Sequence, residues 1–127
     1  MGEINWVQAR SECSLIKVFE LLKAQVKQDV DDRNALRNLG DARVKFQGVD
    51  DNGQMFMVYI DVHGAQGKTV IFALTASTLE VRDKNHKPTI TASVTLNNDG
   101  ECRLKVAGEE LELWQVRKMA LESLFFE

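Results

Sequence analysis

The stretch QMFMVYIDVHGAQGKTVIFALTA, from Gln54 to Ala76, restricts the fold more than any other part of the chain. Side chains of an extended strand alternate with period 2. Phe56, Val58, Ile60 and Val62 therefore share one face, while Met55, Met57 and Tyr59 take the other. The second half repeats the arrangement, with Val70, Phe72, Leu74 and Ala76 opposed to Ile71 and Ala73. Between the halves, His63-Gly64-Ala65-Gln66-Gly67-Lys68 supplies a polar, glycine-containing loop, which reads as the loop of a β-hairpin. Strands apolar on both faces tend to be central and covered on two sides, so the hairpin is expected in the middle of the fold.

On the N-terminal side, residues 1–10 form a short mixed segment, and Ile4, Trp6 and Val7 make it a possible arm. Ser11 or Ser14 can cap the helix that follows. In it, Leu15, Phe19, Leu22, Val26 and Val30 recur at spacings of four and three, one face of a 3.6-residue period. Leu36 and Leu39 could extend this helix to a stop at Gly40; alternatively, Asp31-Asp32 ends it.

Beyond Gly40 the period changes to 2. Ala42, Val44 and Phe46 mark a first strand, and Asp50-Asp51-Asn52-Gly53 turns it into the central hairpin. Leu79–Arg82, the alternating run around Ile90, Ala92, Val94 and Leu96, and Cys102–Val106 follow, separated by polar turns. A final helix is expected from Gly108-Glu109-Glu110 to about Phe126, with acidic residues where the helix dipole favours them. The fold class is thus α+β, one domain over residues 1–127: a long N-terminal helix, an antiparallel meander of about six strands, and a C-terminal helix on the sheet.

Sixteen basic and nineteen acidic residues give a net charge of −3, which argues against the concentrated basic surface that nucleic acid requires. No window approaches the ~18 apolar residues of a membrane span, and the N-terminus shows neither a signal-peptide pattern nor a myristoylation motif. A cytoplasmic location follows as the expectation. Cys13 and Cys102 stand far apart and outside any CxxC pattern, so both read as free, buried thiols.

Chemistry is sparse. Asp61 and His63 lie two apart on one strand, where a carboxylate could orient an imidazole as a general base. They are the weak catalytic candidates, with no nucleophile beside them. Two histidines and two separated cysteines give no metal-ligand spacing, no glycine motif cradles phosphate, and no cofactor is expected. The final helix carries more apolar residues than one buried stripe needs. Trp114, Leu121, Phe125 and Phe126 are accordingly the candidate partner-binding residues, since aromatic side chains dominate interface cores.

The leading expectation is a non-enzymatic protein-interaction module, homodimeric, that binds a protein partner through this helix and a sheet face. The alternative is a binder of a small apolar ligand held between sheet and helix near Met55, Met57 and Tyr59; an enzyme using Asp61 and His63 ranks third. In outline, a barrel-like sheet closed by a Trp-bearing helix is loosely similar to pleckstrin-homology-like domains, from which the extra N-terminal helix departs. Small acidic secretion chaperones also combine helices with antiparallel strands and dimerise. No motif carries either likeness, and no family is assigned.

Overall fold

The computed structural model describes residues 3–36, 42–49 and 53–126. The chain runs α1 (Trp6–Glu12), α2 (Leu15–Asn34), β1 (Arg43–Gly48), β2 (Met55–Val62), β3 (Ala65–Leu74), β4 (Leu79–Arg82), β5 (Pro88–Leu96), β6 (Cys102–Val106), β7 (Glu109–Leu111) and α3 (Leu113–Phe126). The strands form a single antiparallel meander in chain order, and α2 and α3 pack on one face of it.

Local chemistry explains most boundaries. The side chain of Ser14 accepts the Lys17 N–H at 3.2 Å and starts α2. Its buried positions, Val18, Phe19, Leu22, Val26, Val30 and Arg33, keep the helical spacing expected from the sequence. The helix ends at Ala35, so it passes Asp31-Asp32; the proposed stop at Gly40 lies outside the described residues. The turn at 50–52 lies outside them as well. The β2–β3 loop is tighter than the six residues expected. His63 and Gly64 both take positive φ, 52° and 86°, which closes a two-residue hairpin turn matched to the twist of the strands.

Three further features depart from the sequence reading. The N-terminal segment forms the short helix α1, capped by Asn5, whose side chain accepts the Gln8 N–H. The sheet has a seventh strand, because Ala107 and Gly108 adopt φ of 52° and 82° and turn Glu109–Leu111 back onto β6. The final helix therefore begins at Leu113 and not at Gly108. The Gln115 side chain then accepts the Glu112 N–H at 2.8 Å, half of a capping box. Finally, Cys13 and Cys102 are joined in a disulfide, which corrects the reading of both as free thiols. The meander brings the start of β6 to the α1–α2 junction, a proximity across 89 residues of chain that spacing alone does not reveal.

The core lies between the helices and the Phe56 face of the sheet. Phe19, Leu22, Val26 and Val30 from α2 and Leu121, Leu124 and Phe125 from α3 meet Val44, Phe56, Val58, Phe72, Leu79 and Val81. Phe56 sits at its centre, its ring 4.8 Å from Phe72, 5.0 Å from Phe46 and 5.5 Å from Phe19. Each fully buried side chain of this size stabilises the fold by about 1.5–3 kcal/mol. At the sheet edge, Asn34 acts as a surrogate strand. Its amide nitrogen donates to Val44 O at 2.8 Å and its oxygen accepts the Val44 N–H at 2.9 Å.

Candidate functional site

Arg117 reaches from α3 to α2 through two polar contacts. Arg117 Nη1 donates to Gln25 Oε1, and Arg117 Nε lies 3.1 Å from Asp29 Oδ2. The second is a charge contact without hydrogen-bond geometry, since Arg117 Nε is buried with no hydrogen-bond partner. Burial raises the pKa of Asp29, Arg117 opposes that shift, and Asp32 adds to it. Asp29 and Arg117 line a surface groove of about 330 Å³, and the four partner-binding candidates form much of the rest.

Trp114, Leu121, Phe125 and Phe126 are thus gathered on one groove, in two different roles. Leu121 and Phe125 form its floor and belong to the core, at 2% and 8% exposure. Trp114 and Phe126 stand on its rim at 52% and 60% exposure. A 3.6-residue period separates the two pairs: Trp114, Lys118, Glu122 and Phe126 recur every four residues and form one ridge along the outside of α3. Lys118 Nζ and Glu122 Oε2 pair at 3.2 Å along that ridge, both well exposed. Trp114 Nε1 donates to Glu112 Oε2 at 3.1 Å, which steadies the indole. Met119, 53% exposed, lies beside the ridge.

A second exposed apolar set lies on the N-terminal segment and α2. It consists of Ile4, Trp6 and Val7 at the N-terminus and Ile16 and Leu21 on α2. Ile4 approaches Gly100 so closely that a Cβ there would meet its side chain at 2.5 Å. The N-terminal segment therefore packs against the β5–β6 turn.

The ligand-binding candidates stand elsewhere than expected. Met55, Met57 and Tyr59 alternate with the buried Phe56 and Val58, so they face away from α2 and α3. A ligand held between sheet and helix would lie on the opposite side of β2 from these three residues. Among the described residues, α2 and α3 pack on the Phe56 face of the central hairpin. On its other face Ile71 and Ala73 are buried, and their cross-strand neighbours are Met57 and Met55 on β2 and Arg82 and Glu80 on β4. Arg82 and Glu80 are joined by a 2.7 Å ion pair.

Asp61 and His63 stand at the end of β2: the strand ends at Val62, and His63 occupies the left-handed turn position. Asp61 Oδ1 accepts the Gly64 N–H at 2.8 Å and closes the turn. Among the described residues, no group of three His, Cys, Asp or Glu is placed to hold a metal ion. Among them, too, no helix is long and apolar enough to cross a membrane.

Sequence reasoning missed Arg33. It is 6% exposed at the end of α2, and its Nε and Nη1 donate to Phe125 O at 3.3 Å and Ala42 O at 3.1 Å. Burial lowers its pKa, and the charge of Arg43 lowers it further. An arginine three residues beyond Val30 continues the buried stripe in register, the one signal that could have exposed it. Comparison of the chain with protein-family models, with characterised proteins and with solved structures finds no match, so the geometry alone speaks for function.

Proposed function

We propose that the protein is a non-enzymatic interaction module that assembles with a second copy of itself through the outer face of α3. The observation that carries this reading is the order of side chains on the ridge: aromatic Trp114, basic Lys118, acidic Glu122, aromatic Phe126. That order is self-complementary in an antiparallel pair. About a two-fold axis at the level of Ala120, Trp114 of one copy meets Phe126 of the other, and Lys118 meets Glu122, each contact occurring twice. The contact runs along about 18 Å of each helix, with apolar anchors at both ends and opposite charges at the middle.

Exposure supports the same reading, because two aromatic side chains on a helix ridge are left half or more uncovered in the single chain. The disulfide between Cys13 and Cys102 favours an oxidising compartment over the cytoplasmic one expected from the sequence. Sedimentation equilibrium tests the assembly. The chain should sediment as a dimer, and Trp114→Glu should sediment as a monomer with an unchanged thermal transition measured at low concentration. A native chain that stays monomeric at ~100 μM, a concentration at which even weak specific pairs associate, overturns the proposal.

A further inference from the structure

A groove runs along the flank of α3 that faces β3 and β4, and at one end it reaches Phe126 of the dimer ridge. It is made of three hollows in series, of about 350, 320 and 380 Å³. Lys68 and Leu124 are shared by the first two, and Val70 and Ala120 by the second and third. Its walls are largely apolar beyond the first hollow's mouth, with Ile60, Val70, Leu124 and Phe125 at one end and Val81 and Ile90 at the other.

Cations line it throughout: Arg33 and Lys68 the first hollow, Lys68 and Lys84 the second, and Arg82 the third. Arg82 is paired with Glu80, whereas the two cations of the first hollow, Arg33 and Lys68, have no carboxylate partner among the described residues. The carboxylate that lines the groove, Asp83, is engaged elsewhere: its Oδ1 accepts the Asn85 and Lys87 N–H groups at 2.8 and 3.0 Å. The Arg33 guanidinium, 6% exposed and held by carbonyls among the described residues, keeps its charge in a poorly solvated place. A planar carboxylate is the group that best matches a guanidinium fork, and a nearby ammonium adds a second attraction.

The geometry points to a binding site for a single-chain alkyl carboxylate, its head between Arg33 and Lys68 and its chain laid along α3 over Val70, Ala120 and Leu124. An uncharged chain gains the same apolar contacts but leaves the two cations unanswered. A short carboxylate answers the cations but leaves the groove empty. Both parts are needed together, which defines the ligand class.

Calorimetric titration of the full chain with butanoate, octanoate and octanol tests this site, with amide chemical shifts reporting where the ligand sits. Octanoate should bind, and butanoate should bind more weakly by about twofold per methylene removed, half of the fully buried effect in free energy because the groove is open on one side. Octanol should bind at least about fivefold more weakly than octanoate, the effect of one partly solvated charge pair. Shifts should concentrate at Lys68, Ala120 and Leu124. Arg33 also holds two backbone carbonyls, so its removal can unfold the chain; the exposed Lys68 gives the safer variant. Lys68→Ser should weaken octanoate by about fivefold while leaving octanol and the thermal transition unchanged. Equal binding of octanol and octanoate, shifts centred away from the groove, indifference to Lys68→Ser, or no binding of octanoate at millimolar concentration each overturn the assignment. The ridge proposed for dimerisation is untouched by Lys68→Ser, so failure here leaves that reading standing.

Discussion

Phe125 and Phe126 are neighbours in the chain, yet they should respond to truncation in opposite ways. Their rings meet edge to face at 6.2 Å, but Phe125 is 8% exposed within the core and Phe126 is 60% exposed on the ridge. Phe125→Ala removes a packed ring and leaves a cavity, a change that costs about 3–5 kcal/mol. Phe126→Ala removes a ring only about two-fifths covered, with no enclosed space to vacate, and should cost about 1 kcal/mol. At roughly 3–5 °C per kcal/mol for a chain of this size, the melting temperature should fall by about 10–25 °C for the first and about 3–5 °C for the second. Urea unfolding at sub-micromolar concentration, where association does not contribute, measures both. Sedimentation at higher concentration should then show Phe126→Ala weakening the dimer at least about tenfold, the scale of an aromatic hot spot. Equal destabilisation by the two substitutions, or native-like association of Phe126→Ala, would refute the division of α3 into a core face and an interface ridge.

Other perturbations probe the frame that holds α3 in place. Replacing both Cys13 and Cys102 by serine opens an 89-residue loop and should lower stability by roughly 3–5 kcal/mol in the chain-entropy account, read from urea midpoints; thiol titration of the unfolded native chain should find no free cysteine. Asn34→Ala strips Val44 of both partners on its outer edge and should cost about 2 kcal/mol, with faster amide exchange at Val44. Asp29 contributes a pH dependence of known sign. Its pKa is raised on folding, so between the ordinary carboxylate value, about 4, and its folded value the native state binds more protons than the unfolded one. Its contribution to stability therefore falls as pH rises through that window. Asp29→Asn should remove this slope, so wild type should lose stability relative to the variant on going upward from about pH 4; an unchanged difference would show that burial of the carboxyl is not what matters.

Periodicity made much of this architecture legible. The spacing of Phe19, Leu22, Val26 and Val30 marks the buried face of α2, and the alternation around Phe56 and Phe72 marks the core side of β2 and β3. What escaped the sequence depends on backbone geometry or on distant neighbours. Glu109-Glu110 has the composition of a helix start, but positive φ at Ala107 and Gly108 folds it into a hairpin. α1 buries no residue, so it carries no amphipathic pattern to detect. The place of the half-buried Met55, Met57 and Tyr59 depends on which sheet face the helices choose, and both faces of that hairpin are apolar. For the same reason Trp114 and Phe126 could be picked out as surplus apolar residues, while Leu121 and Phe125 could be told apart from them only by the rotation of α3 on the sheet.

A charge exchange on the ridge tests the self-pairing most directly. Lys118→Glu should place like charges opposite each other at both ends of the Lys118–Glu122 contact and shift the sedimentation equilibrium to monomer. Adding Glu122→Lys restores opposite charges, both across the dimer and within α3, and should bring the dimer back. Rescue by the double exchange is the result this account predicts; a double variant as monomeric as the single one contradicts an antiparallel pairing of α3 with its own copy.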